Sequence, residues 1–331
     1  MPFQLIEGDL TKITADVIVN AANKNLQMGG GVCGAIFKAA GPKELQQACN
    51  EIGHCETGQV VMTDAFQLNA KKIMHTVGPV WQGGGQDEAE LLKSCYEKSL
   101  QLATNEGYES IAFPLISAGI YGYPVTEAFQ IAVSTIHTHL EHYELHVMLV
   151  LLDKKILFEP TKMASLETYL ERHLSFSHLE KSLQRDAQIL ESQQIFEVRE
   201  SLPKKSDSVT YLAPIIEDLE ASFADRLMDW IDQRGMTDAE TYKKANIDRR
   251  LFSKIRNTPN YTPTKKTVLA FAVALELTLE DTERLLESAG YALSKSQRFD
   301  MIIRYFLEQR QYDIYKINEA LFSYDEITLG S

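Results

Sequence analysis

The sequence predicts an α/β domain followed by an all-helical one, and a change in hydropathy pattern carries that reading. Up to about residue 160, short aliphatic runs alternate with helical stretches; beyond 212 only helical periodicity remains. A chain of 331 residues exceeds the usual length of one domain, which fits two. The runs "DVIVNAA", "GQVVMTDAF", "KKIMHTVG", "SIAFPLI" and "HVMLVLL" are nearly continuous in apolar residues. Such strands are buried on both faces, as in a largely parallel sheet covered by helices on either side. Helices are expected from near Val32, over 86–106 and over 124–140.

The stretch 161–200 begins with "ASLETYLERHL", read as the closing helix of the first domain, and turns polar with Leu179, Leu183 and Leu190 at helical spacing. "SLPKKSDSVTY" (201–211) holds too little apolar content for a core, so the interdomain connector is placed over 175–211. The expected domains are 1–174 and 212–331. In the second, Phe223, Leu227, Trp230 and Ile231 share one helical face, and "TVLAFAVALEL" is apolar enough for a central helix.

Composition narrows the function. The net charge of -13 excludes a protein that coats nucleic acid or anionic membrane with its whole surface. No apolar run is long enough to span a bilayer and the N-terminus lacks signal-peptide regions, so a cytoplasmic location is expected. Cys33, Cys49, Cys55 and Cys95 form no CxxC pair, and "CNEIGHC" has neither zinc-ribbon nor finger spacing. No metal or cofactor is expected.

Parallel sheets bind ligands where strands lead into helices, which singles out the loops 8–12, 20–33 and 116–122. Gly29, Gly30 and Gly31 precede the "VCGAIFKAAG" helix, so free backbone amides and a helix N-terminus are available to a phosphate. The alternative is a flexible turn. The second loop, "ISAGIYGYP", repeats the arrangement with Gly119 and Gly122 before a helix at Pro124. Two glycine-rich loops on one sheet edge point to a diphosphate held between them.

In order and spacing over about 1–170, "GDLTKITADVIVNAAN", "GGGV.GAI..AAG", "HTVGPVW" and "FPLISAGIYGYP" resemble the macrodomains, specifically the MacroD-type branch. The resemblance implies a three-layer α/β/α fold that binds ADP-ribose and in many members removes it from proteins, nucleic acids or acetyl groups. It also implies roles by position. Asp9, with Leu10 beside it, accepts from the adenine amino group, and Asn23 positions the distal ribose or else closes its own loop. Asn20 reads as structural. Gly30, Gly31 and Val32 contact the distal ribose and its phosphate. Ser117, Ala118, Gly119, Ile120 and Tyr121 close over the diphosphate, with a core aromatic as the other reading of Tyr121.

Three departures concern the chemistry. Hydrolysis needs a positioned water and a proton acceptor. The family pattern has an aspartate where this chain has Cys33, a weak acceptor that a helix N-terminus can turn toward thiolate. Asn23 and Cys33 are thus the candidate catalytic pair, with Cys33 the weaker partner. Phe37 replaces a usual histidine, and no aromatic stands at Leu152–Lys154 to stack on adenine. Some members that lack the aspartate are thought to use the ligand's own phosphate to hold the water.

Within 237–277 the sequence resembles the XRE/Cro helix-turn-helix family, with 248–257 as the recognition helix. Residues 243–266 hold Lys243, Lys244, Arg249, Arg250, Lys254, Arg256, Lys265 and Lys266 against the single acid Asp248. Arg249 and Arg250 are expected at base edges, Lys254 and Arg256 at phosphates. A solvated face or a protein-docking surface is the alternative. The expected partners are ADP-ribose or an ADP-ribosylated macromolecule, and duplex DNA or a protein through the second domain.

Overall fold

The structure is a computed structural model describing residues 2–154, 164–173, 222–258 and 261–330. The expected connector, 175–211, lies outside the described residues. Among the described residues, six strands form one sheet in the order β1-β6-β5-β2-β4-β3. They are β1 (Phe3–Glu7), β2 (Val17–Ala21), β3 (Val60–Asp64), β4 (Lys72–Thr76), β5 (Ser110–Pro114) and β6 (His146–Leu151). All neighbours run parallel except β3, which pairs antiparallel with β4. The strand β1 was not among the apolar runs; it is an edge strand with four of its five residues partly exposed or exposed.

Alternation along each strand builds two cores. Val17, Val19, Ile111, Phe113, Val147 and Leu149 face one side. There they pack on α3 (Glu88–Asn105) and α4 (Val125–His142). Ile18, Ile73, Ala112 and Met148 face the other, against α1 (Gly31–Ala40) and α2 (Pro42–Ile52). The result is the expected mixed, mostly parallel sheet between two helical layers. Among the described residues, no helix is long and apolar enough to cross a membrane.

A helix over 164–173, α5, departs from expectation. Its apolar pair Leu166 and Leu170, spaced i, i+4, joins the second domain's core, not the sheet's. Tyr169 bonds Glu308 at 2.9 Å and Ser165 bonds Tyr305 at 2.8 Å. Residues 164–173 therefore pack with the helical domain and do not close the first.

The helical domain continues with α6 (Phe223–Arg234), α7 (Asp238–Lys244), α8 (Arg249–Asn257), α9 (Lys265–Ala274), α10 (Leu279–Ser288), α11 (Arg298–Glu308) and α12 (Ile314–Ser323). Local chemistry sets the boundaries. Thr237 and Glu240 form a reciprocal capping box at α7, and Asp248 caps α8. The apolar α9 is buried on every side from Thr267 to Ala274. The four-residue turn between α7 and α8 passes through Asn246 at φ 54°, a left-handed conformation that asparagine tolerates.

The two domains touch through specific contacts. Phe3 donates its N–H to Asn246 Oδ1 (2.7 Å), and Asn246 Nδ2 donates to the Phe3 carbonyl (2.9 Å). Asn246 is 3% exposed, so its amide occupies the edge of β1 as another strand would. Tyr242 bonds Glu144 at 2.8 Å, Lys243 bonds the Glu141 carbonyl at 2.9 Å, and Phe322 of α12 is counted in the sheet's own core.

Candidate functional site

The carboxyl ends of β1, β6, β5 and β2 lie side by side along one edge of the sheet. A cleft of about 710 Å³ runs across all four. Parallel strands sit about 4.8 Å apart, so three spacings make the cleft about 14 Å long before its loops are counted. Gly8, Asp9, Leu10, Leu152 and Asp153 line one end; Asn23, Gly29, Val32 and Cys33 line the other. The loop Leu115–Tyr121 lines the middle.

All of the first-domain site residues expected from sequence line this one cleft. Asp9 is exposed, and one of its oxygens accepts from the Thr11 hydroxyl (2.8 Å) and amide (2.9 Å). Those bonds hold its carboxyl below the usual range, so it remains an anionic acceptor at neutral pH. Asn23 closes its own loop, donating to the Gln27 carbonyl (2.6 Å) and accepting from the Gln27 amide (3.1 Å). The structural reading of Asn23 thus holds at the same time as its place on the cleft wall.

At α1 no side chain caps the first turn; its N-cap is Gly30 and Gly31 has φ 58°. The early amides of the helix are therefore free to meet an anion. The opposite lip, Ile116–Tyr123, is braced from behind. Tyr96, fully buried, accepts from the Ile116 amide (3.0 Å). The Trp81 amide bonds the Tyr121 carbonyl (2.9 Å), and the Trp81 and Tyr123 rings lie 4.6 Å apart. Tyr123 is the core aromatic, whereas Tyr121 is half-buried on the cleft wall.

Ser117 has φ 64°, a strained conformation for a residue with a side chain. Its buried Oγ has no hydrogen-bond partner among the described residues. Ile120, 76% exposed, reaches the glycine turn: a Cβ added at Gly30 would lie 3.1 Å from its Cδ1. The two glycine-rich lips therefore meet across the cleft.

Sequence reasoning missed two packing glycines. A Cβ at Gly34 would fall 2.4 Å from the Gly29 carbonyl oxygen, and one at Gly78 would fall 2.2 Å from Ser117 Oγ. The Gly34 contact is with the loop just before it and the Gly78 contact with the loop after β5, and neither shows before the chain is folded. Leu152 and Asp153 were noticed only for lacking an aromatic.

Cys33 is 5% exposed, lies 3.7 Å from Asn20 Nδ2 and donates toward the Gln27 carbonyl at 3.8 Å. Asn20 is wholly buried and its Nδ2 also meets His75 Nδ1 at 3.0 Å, which supports its structural reading. His75 Nε2 meets Thr63 Oγ1 at 2.9 Å. With Nδ1 accepting from Asn20, the His75 proton sits on Nε2 and is donated to Thr63. Burial lowers the His75 pKa to about 4, so the ring is neutral and supplies no charge to the cleft. Cys49 and Cys55 are buried, and His54 pairs with Glu56.

A family model described as Macro domain matches residues 19–132. A macro domain-containing protein of Chlorobaculum tepidum is 55% identical over 135 residues, covering 41% of this chain and 78% of that protein. The chain belongs to the macrodomain family. Its macrodomain is also 51% identical over 146 residues to a protein of Salmonella typhimurium named O-acetyl-ADP-ribose deacetylase, covering 43% of this chain and 81% of that one. Among solved structures, the Oceanobacillus iheyensis macrodomain with ADP is 42% identical with a TM-score of 0.45, covering 49% of this chain and 91% of that one.

The basic surface outside the macrodomain is thinner than its sequence suggests. Lys244 pairs with Glu276 (2.6 Å), Lys265 with the buried Asp300 (2.6 Å), Arg256 with Asp238, and Lys243 is spent on Glu141. Arg249 and Arg250 stand exposed at the start of α8, and Lys254 lies 4.5 Å from the Tyr261 ring centroid. Arg256, expected at a phosphate, is half-exposed and shares its guanidinium with the Asp238 carboxylate, an exposed pair that a phosphate would have to displace.

Proposed function

We propose that the macrodomain binds the ADP-ribose group, free or attached to a macromolecule, and that it removes the group or its acetyl ester slowly. The observation that carries this reading is the cleft spanning four strand ends, with a carboxylate at one end, an asparagine at the other and two glycine-rich lips between. An elongated diphosphate with a base at one end and a sugar at the other matches that order of chemistry. Asp9 takes the adenine amino group, Gly30 to Val32 and Ser117 to Tyr121 take the diphosphate, and Asn23 takes the distal ribose.

The name of the Salmonella relative supports an ester hydrolysis: water adds to the acetyl carbonyl, and acetate and ADP-ribose leave. The same cleft serves hydrolysis at the distal ribose. In this chain the water has Cys33 beside it instead of a carboxylate, and His75 is too deeply buried to help. Incubation with O-acetyl-ADP-ribose and with a mono-ADP-ribosylated protein tests the proposal. Slow release that requires the intact cleft supports it; retention of both groups on a chain that still binds them supports a non-catalytic sensor instead.

For the helical domain we propose duplex DNA binding through Arg249, Arg250 and Lys254 on α8. The α7–turn–α8 unit, capped at both helix starts, supports this reading, as does the exposure of those three cations. Each of these cations that neutralises a phosphate contributes about -0.9 to the slope of log K against log salt, so binding weakens as salt rises. Binding indifferent to salt contradicts it and favours a protein partner.

A further inference from the structure

The loop that follows β6 joins the cleft to the helical domain. Leu152 and Asp153 line the cleft, and the next residue, Lys154, is committed elsewhere. Its Nζ pairs with Glu7 Oε2 at 3.2 Å and with the Asp325 carboxylate just beyond α12. Its amide donates to Glu7 Oε1 at 3.4 Å, and its ammonium lies 5.7 Å from the Phe322 ring centroid. The side chain is 16% exposed, so these partners replace most of its water.

Placement gives these contacts their importance. Glu7 directly precedes Gly8 and Asp9 on one cleft wall, and Lys154 directly follows Leu152 and Asp153 on the other. One cation therefore ties together the two strand ends that form the Asp9 end of the cleft, and its second carboxylate comes from the helical domain. Leu152 is 83% exposed, and no aromatic is present there, so little apolar packing fixes this end. The strand ladder ends with the Gly8 amide on the Leu151 carbonyl at 2.8 Å, and beyond that bond the ion-paired strap links the two loop segments to each other and to the helical domain.

We infer that Lys154 is a positioning residue that sets the adenosine end of the cleft, and that Asp325 makes this setting depend on the docked helical domain. This inference rests on the proposed ADP-ribose reading. It also makes the two domains thermodynamically linked: a ligand that favours the strapped loop favours the docked arrangement by the same factor.

The test compares ADP-ribose with ribose 5-phosphate, which lacks the adenosine, on the full chain and on Lys154→Met and Asp325→Asn. Methionine keeps an apolar stem against Phe322 and removes the charge. The expected result is a five- to twentyfold loss of ADP-ribose affinity in both variants, with ribose 5-phosphate affinity unchanged. An equal loss for both ligands shows general loosening of the fold and overturns the inference. Wild-type selectivity in Lys154→Met overturns it as well, and wild-type selectivity in Asp325→Asn alone removes the helical domain's part. A native chain that binds ribose 5-phosphate but not ADP-ribose defeats the underlying reading instead.

Discussion

Asn246→Ala is expected to destabilise the chain by about 3 kcal/mol or more and to uncouple unfolding of the helical domain from that of the macrodomain. The side chain satisfies both the N–H and the C=O of Phe3, inside a contact where water does not reach. Removing it strands two buried backbone groups, each at about 1–3 kcal/mol. Alanine at φ 54° adds a further penalty of roughly 1 kcal/mol. Denaturant unfolding followed by Trp81 in one domain and Trp230 in the other reads the result. Coincident transitions with a midpoint near wild type would show that the β1 edge does not depend on this amide.

Cys33→Asp is expected to raise turnover at least about tenfold while leaving ADP-ribose affinity within a few fold. General acid–base assistance is worth about 10² to 10⁴, and a buried site recovers only part of it. Two neighbours favour an anion and one, the Gln27 carbonyl 3.8 Å from the sulfur, opposes it. Asn20 Nδ2 is 3.7 Å from the present sulfur, and the uncapped first turn of α1 favours negative charge by roughly 0.3–1 kcal/mol. Unchanged turnover would mean that another group, the ligand's own phosphate foremost, already holds the water.

The sheet and the site loops were legible in the sequence for different reasons. Strands buried on both faces, such as Ile111–Pro114 and Val147–Leu151, show as unbroken apolar runs. The edge strand β1 does not, because Gln4, Leu5 and Ile6 are each half-covered and the strand's outer partner is a side chain 243 positions away. The glycine loops are visible because φ above zero and close approach demand glycine itself. Gly34 is equally constrained, yet its reason is a carbonyl five residues back that only the folded loop brings near.

Charge misled most. Eight basic residues within 243–266 read as one surface, but pairing with Asp238, Glu276 and Asp300 depends on helix packing, which sequence proximity does not encode. The helix over 164–173 misled for a related reason. An apolar i, i+4 pair says that one face is buried and not which core buries it.

The most direct test of the central claim is calorimetric titration of the full chain with ADP-ribose, repeated with ADP and with ribose 5-phosphate. A cleft crossing four strand ends predicts saturable one-to-one binding of ADP-ribose, tighter than either fragment alone, because only the whole ligand engages both ends. The absence of binding at millimolar ADP-ribose, or affinity no greater than that of ADP, would contradict the account.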